Sequence, residues 1–344
     1  MTTEPAPPTA PAPRFSGGGE ISFAERPVPR PGPGQLLLAV GANAICGTDR
    51  KQYLEGSEVT PGHEAAGVVA AAGEGASIAE GTAGVVYLMD YCGSCRSCRG
   101  GFTNQCLAKR ADMGFTHDGG YGPYELVHET NFFPIASAIP LWQAPLLLDV
   151  MGTSGHAIGR ALLVRPEIES VLITGAGPVG LGLLAAARLT FSEGTRILVT
   201  DVTPYRLALV ERLGGIPIDA SKQRIAEALR RNDLDEVDAC FDSTGRGAVR
   251  QEALDCLGRR GVLVCVGHGE QLVLDVSMDL IAPERAVLGS EYFRFDELPA
   301  NLELLHAQRD YLGQIITHRF PVSQIDQAFR VFFSGESGKV IVEQ

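Results

Sequence analysis

Four cysteines crowd into fifteen residues of this chain. Cys92, Cys95, Cys98 and Cys106 follow the spacing Cys-x2-Cys-x2-Cys-x7-Cys. Four thiolates in a loop-rich segment make a closed tetrahedral zinc site. Such a site leaves no position for a substrate, so its expected role is structural. The surrounding segment, 88–120, is rich in Gly and Cys and buries little apolar surface by itself. A metal would supply the folding free energy it lacks. The rival is an iron–sulfur cluster, whose bacterial run ends in Cys-x3-Cys-Pro. Here the last spacing is seven and Leu107 follows Cys106. Disulfides are disfavoured in the reducing compartment expected for this chain.

A second group lies upstream. Cys46-Gly47-Thr48-Asp49 is followed by Gly62-His63-Glu64, with His63 seventeen residues after Cys46. A catalytic zinc takes three protein ligands and keeps one position open. A thiolate and an imidazole begin such a set. Either residue alone would read as an ordinary core position; their company gives them meaning.

A third group follows an apolar run, Val171-Leu172-Ile173-Thr174. The loop Gly175-Ala176-Gly177-Pro178-Val179-Gly180 then opens an apolar helix over 181–189. In that context the glycines allow a tight turn, close approach to a pyrophosphate and close helix packing. Asp201 ends the next strand, 21 residues after Gly180, where a carboxylate binds ribose hydroxyls. A carboxylate there repels the 2′-phosphate of NADP, so NAD is the expected cofactor. Arg206 is either an adenine-stacking group or a solvated helix charge. Ser243 and Val266, at the ends of later strands, complete the expected cofactor-binding set with Pro178, Val179 and Lys339.

These groups need two kinds of scaffold. From about residue 156 to 289, strands alternate with helices (strand 196–200, helix 204–213, strand 239–241, helix 248–257, strand 261–266), which predicts a doubly wound parallel sheet. Residues 14–155 and 290–344 read as a mostly β catalytic domain with Gly and Pro breaks. Within it, helices are expected over 302–312 and 324–332 and a last strand over 339–342. Residues 1–13, rich in Pro, Ala and Thr, read as a disordered tail without the apolar region of a signal peptide. Length, at 344 residues, suits two domains. The net charge of −12 argues against nucleic acid as a partner. No run reaches about 18 apolar residues, so no membrane span is expected and a cytoplasmic protein is the default.

Taken together, these motifs resemble the zinc-containing medium-chain alcohol dehydrogenase family, including its polyol and threonine dehydrogenase branches. The resemblance covers roughly residues 20–344 and is carried by Cys46-Gly47-Thr48-Asp49, Gly62-His63-Glu64, the cysteine lobe, Asp118-Gly119-Gly120-Tyr121, the glycine loop and Gly338-Lys339-Val340. It implies a Rossmann domain beside a GroES-like catalytic domain, and two zinc ions per subunit. By the same resemblance Cys46 and His63 ligate the catalytic zinc, and Glu64 is an alternate ligand or a neighbour of the ligands. Asp49 orients His63, Thr48 relays the substrate proton, and Lys339 approaches the cofactor pyrophosphate. The family's third ligand is a Cys, Glu or Asp entering the cofactor domain; Asp149, in Leu148-Asp149-Val150-Met151-Gly152, is nominated. The family's relay histidine is replaced by Lys51, so either Lys51 serves or the proton leaves through the cofactor ribose and water. Tyr53, Phe115, His117 and Asp149 are pocket candidates whose polarity leans towards a polyol, sugar, cyclitol or amino-sugar alcohol. A simple alcohol and a threonine-type hydroxyl are the alternatives. A zinc-free reductase and a non-catalytic NAD-binding redox sensor are the rival classes. A homodimer or homotetramer is implied, with pairing near 286–289.

Overall fold

Thr9–Gly17 (β1) and Glu20–Pro27 (β2) form an antiparallel ribbon in the computed structural model, which describes residues 6–135 and 138–344. The disordered-tail expectation is thereby corrected for residues 9–13; residues 1–5 lie outside the described range. Ala10, Ala12 and Phe15 are buried in β1, and Ala12 pairs Ala24 while Phe15 pairs Ile21. Pro11 and Pro13 are two residues apart in a strand with one partner, so their missing N–H groups fall on its free edge.

Gln35–Ala44 (β3) is the hub of a second sheet. Ala65–Ala72 (β4) pairs it antiparallel, and Ala83–Val86 (β5) pairs β4. Two short strands, Met89–Asp90 (β6) and Ala111–Asp112 (β7), pair across the base of the cysteine segment. Tyr124–His128 (β8) returns to β3, and Phe132–Pro134 (β9) pairs β5.

The parallel sheet follows. Ser170–Thr174 (β10), Arg196–Asp201 (β11), Ile216–Asp219 (β12), Val237–Asp242 (β13), Leu257–Cys265 (β14) and Ala286–Gly289 (β15) run in the order β12-β11-β10-β13-β14-β15. Every pairing is parallel. Helices Pro178–Thr190, Pro204–Arg212, Ile225–Arg231 and Gly247–Asp255 lie on the path between strands. All five residues of β10 are buried, as a central strand covered on both faces requires. The strand order reverses beside β10, and a crevice forms at the carboxyl ends of such strands.

Ile316–Pro321 (β16) and Lys339–Glu343 (β17) complete the mostly antiparallel sheet in the order β16-β17-β3-β4-β5-β9, with β8 on β3. The single helix expected over 302–312 is two helices, Leu298–Ala307 and Arg309–Gly313, because Gln308 leaves helical geometry (φ −122°, ψ 25°). One core cluster runs from Val85 and Tyr87 through Leu146 and Val150 to Ile173 and Phe293, so both sheets share it. Among the described residues no helix is long and apolar enough to cross a membrane.

Candidate active site

The two central strands of the first sheet bring the upstream motifs together. β3 ends at Ala44, just before Cys46; β4 starts at Ala65, just after His63 and Glu64. The strands are antiparallel, so these two ends adjoin. Asp149 arrives from elsewhere. It begins a single π-helical turn, Asp149–Thr153, that leads into the helix Ser154–Leu162. Such turns are rare and concentrate at functional sites.

The resulting cluster is tight. Cys46 Sγ lies 3.0 Å from Asp149 Oδ2, and His63 Nε2 lies 3.7 Å from the same oxygen. Donor atoms of Cys46, His63, Glu64 and Asp149 all fall within 4.8 Å of one another, and all four residues are buried. Tetrahedral zinc, with bonds of about 2.0–2.3 Å, sets its donors roughly 3.3–3.8 Å apart. One thiol, one imidazole and carboxylate oxygens are a zinc-like donor set. Glu64 Oε2 is buried without a hydrogen-bond partner. The residues present therefore fit the ion.

Charge is strongly perturbed here. Burial pushes the Cys46 thiol up, and Asp149 adds to the rise. Burial also works against Asp149, but its bond to His63 and the His63 charge outweigh this and hold the carboxyl well below its usual range. His63 is raised well above the usual imidazole range; burial opposes that rise, and Asp49 and Asp149 overcome it. A cation bound by Cys46 and His63 would displace these protons.

Around the cluster, Asp49 Oδ1 faces His63 Nδ1 at 3.2 Å, although the angle falls outside hydrogen-bond geometry. Asp49 Oδ2 accepts from the Cys46 amide at 3.0 Å and from the Tyr121 hydroxyl at 2.6 Å. Asn43 accepts from the Glu64 amide at 3.2 Å. Sequence reasoning assigned no role to Asn43 or Tyr121; their signal is fold-dependent contact, which spacing does not reveal.

Lys339 requires a correction. It was expected to face the cofactor pyrophosphate, yet it is fully buried in β17 and its ammonium bonds Glu64. Burial alone would lower its pKa; Glu64, Cys46 and Asp149 raise it and keep it charged. Thr48 is exposed beside buried Cys46. Lys51 points to solvent on the helix Arg50–Glu55 and lies 3.9 Å from Glu55. Of the pocket candidates, Phe115 packs on the His63 ring at 4.9 Å. Tyr53 packs on Phe329 and stacks on Phe333 instead, and His117 lines a cavity of about 390 Å³ beside Arg26 and Asp118 whose lining does not include Cys46, His63, Glu64 or Asp149.

The downstream cysteines form the other cluster. Sγ atoms of Cys92, Cys95, Cys98 and Cys106 lie within 4.8 Å of one another. The amides of Ser94 and Cys95 bring the Cys92 thiol down to about 6, while burial and Cys95 push Cys98 up to about 12. Four thiolates this close repel one another unless a cation binds them. The lobe also grips the chain beyond β15: Asn104 donates to the Glu291 carbonyl at 2.8 Å, and Thr103 accepts from the Phe295 amide at 2.8 Å. Phe293, inside that gripped segment, packs against Gly152 in the Asp149 turn, where a Cβ would come within 2.4 Å of the ring.

At the glycine loop, a Cβ on Gly180 would lie 1.8 Å from the Gly175 carbonyl, so only glycine fits. Asp201 stands at the tip of β11, and its carboxylate accepts from the amides of Ala176 (2.8 Å), Val202 (2.8 Å) and Thr203 (2.9 Å). Ser243 donates to the Thr174 and Gly175 carbonyls at 2.8 and 3.2 Å, buttressing the loop from β13. Val266 is half-buried at the end of β14. The solvated-charge reading of Arg206 is corrected: the side chain is half-buried, and its Nε donates to the Ser337 carbonyl at 3.1 Å.

Known proteins are similar to this chain over nearly its whole length. Residues 32–137 match the alcohol dehydrogenase GroES-like domain, and residues 155–343 match the glucose dehydrogenase C-terminus. The chain is 28% identical to an L-threonine 3-dehydrogenase of Saccharopolyspora erythraea, over 97% of each chain. A crystal structure described as a short chain alcohol dehydrogenase from Escherichia coli CFT073, complexed with NADH, superposes with a TM-score of 0.87 at 22% identity, covering 98% of this chain and 100% of that one. A Sinorhizobium meliloti 1021 protein assigned as a zinc-binding dehydrogenase and bound to NADP superposes with a TM-score of 0.84 at 26% identity, covering 98% and 99%. The chain belongs to the zinc-containing medium-chain alcohol dehydrogenase family. It is an oxidoreductase of that family, with a GroES-like domain and a Rossmann-type parallel sheet.

Proposed function

We propose that this protein oxidises a secondary alcohol of the polyol, sugar, cyclitol or amino-sugar type to a ketone, passing hydride to NAD. The observation that carries the reading is the convergence of Cys46, His63 and Asp149 from two different parts of the fold, within 4.8 Å, beside an exposed Thr48. L-threonine is also a secondary alcohol, and the 28% identical threonine dehydrogenase favours it as a second reading.

Cys46, His63 and Asp149 would hold one zinc, with Glu64 beside it; Cys92, Cys95, Cys98 and Cys106 would hold another. When bound, the first zinc supplies Lewis acidity at the substrate oxygen, and NAD supplies the hydride acceptor. Thr48 accepts the substrate hydroxyl proton and passes it outward to solvent. Asp49 holds the His63 ring, as metal-bound imidazoles require. Phe115 packs over the His63 ring. Asp201 favours NAD, since its carboxylate would meet the 2′-phosphate of NADP.

The expected subunit pairing runs along β15, the outer strand of the parallel sheet. Val273, Met278 and Ile281 nearby are 67–76% exposed, an apolar edge suited to a second copy. A Met278→Glu, Ile281→Glu variant sedimenting as a monomer, where the parent is dimeric, would support this pairing; a parent that is itself monomeric would overturn it.

The decisive test is NADH formation across polyols, sugars, cyclitols, L-threonine and aliphatic alcohols. Turnover of polyhydroxylated secondary alcohols is expected. Activity on L-threonine alone selects the second reading, activity only on aliphatic alcohols rejects both, and zinc-loaded protein inert to every alcohol favours a redox sensor.

A further inference from the structure

Tyr121 is one of the residues that tie the Cys46–His63–Asp149 cluster to the rest of the catalytic domain. Its ring is fully buried, stacked on Phe15 at 5.9 Å and edge-on to Phe329 at 5.4 Å. Its hydroxyl makes the 2.6 Å bond to Asp49 Oδ2. The Cys46 amide holds that same oxygen. With Oδ2 engaged twice, Oδ1 is left facing His63 Nδ1. The backbone of Tyr121 works on His63 from the other side. Its amide donates to the Pro61 carbonyl at 3.1 Å, and the preceding Gly120 amide donates to the Gly62 carbonyl at 2.8 Å. Gly62, with φ +106°, has no room for a side chain because a Cβ would lie 2.7 Å from the Tyr121 amide nitrogen. The Gln344 side chain fastens the far end, donating to the Tyr121 and Gly122 carbonyls at 2.9 and 3.1 Å.

We infer that Tyr121 is a positioning residue for the catalytic metal, aiming the Asp49 carboxylate at His63 while its backbone fixes the turn that carries His63. The inference rests on the zinc-dependent reading above. Its physical basis is the carboxylate's rotational freedom. A buried carboxylate held at one oxygen by two donors has one orientation, and removing the shorter bond lets it turn. The imidazole then loses the partner that sets its tautomer and ring angle.

The test is Tyr121→Phe in the full-length protein loaded with zinc. The phenyl ring keeps its packing on Phe15 and Phe329, so the variant removes the hydroxyl alone. Zinc release into a chromophoric chelator is followed in two phases, with the four-cysteine site as internal control. Release of the Cys46-dependent zinc about 10–100-fold faster, with the other phase unchanged, is expected. The visible absorption of the cobalt-substituted protein should shift, and kcat should fall while KM for NAD holds. Wild-type release and an unmoved cobalt spectrum would overturn the inference. Gln344→Ala, which leaves the ring and hydroxyl intact, should move the same readouts in the same direction, and carries the test should Tyr121→Phe fail to fold. A wild-type protein with no Cys46-dependent zinc would instead overturn the functional reading and this inference with it.

Discussion

Lys339 and Glu64 form an ion pair with no exposure to solvent, directly behind the Cys46–His63–Asp149 cluster. Removing one partner of such a pair strands the other charge in an apolar interior. Lys339→Met is therefore expected to cost about 3–5 kcal/mol of stability. Lys339→Met combined with Glu64→Gln should recover most of that loss. Urea unfolding of the three proteins checks this; equal losses in the single and double variants would show that the pair is not the cause.

Cys46→Ser should remove one zinc equivalent and turnover while leaving NAD binding intact, because the glycine loop lies on the other sheet. Cys106→Ser should remove the other zinc and lower the unfolding temperature. Metal analysis with cofactor-fluorescence titration separates the two. Parental zinc content in Cys46→Ser would refute the ligand assignment.

Asp201→Ala should raise KM for NAD and shift the NADP/NAD preference by about tenfold or more, roughly 1.4 kcal/mol. The Ala176, Val202 and Thr203 amides all lose their acceptor, so the loop should loosen as well. An unchanged cofactor ratio in steady-state kinetics would remove Asp201 from the discrimination.

Glu125 offers a pH signature. It is buried on β8 with neither carboxylate oxygen bonded, and burial, aided by Asp118, raises its pKa well above the usual range. A raised folded-state pKa gives stability that is fully present below the unfolded value and is lost as pH rises towards the folded one. Glu125→Gln should thus gain on the parent between about pH 5 and pH 8, by up to about 1.4 kcal/mol per pH unit. Urea midpoints at both ends measure it, and a pH-independent difference would mean that the carboxyl has found a partner.

The local motifs were legible because their chemistry is short-range. The four cysteines, the glycine loop and the strand–helix rhythm each declare themselves within about 30 residues. The ribbon at Thr9–Gly17 was misread because Pro11 and Pro13 look like breakers until the partner strand is known. Lys339 was misassigned because a motif does not say which face of β17 a side chain occupies. Tyr53 and His117 sit near the catalytic motifs in sequence, yet an aromatic cluster and a separate cavity claim them. Asp149 could be nominated only by resemblance; nothing in its neighbourhood announces a π turn. Tyr121 gained a role only when a loop 72 residues from Asp49 closed on it.

Asp149 has one more implication. Cys46 and His63 belong to the antiparallel sheet, whereas Asp149 stands on the turn leading into the nucleotide-binding half. A metal held by all three is a rivet through the crease of the molecule. Any swing of one half against the other alters the angle at which Asp149 meets its two companions. Grip on the dinucleotide and reactivity of the ion would then be geared together through the Asp149–Thr153 turn.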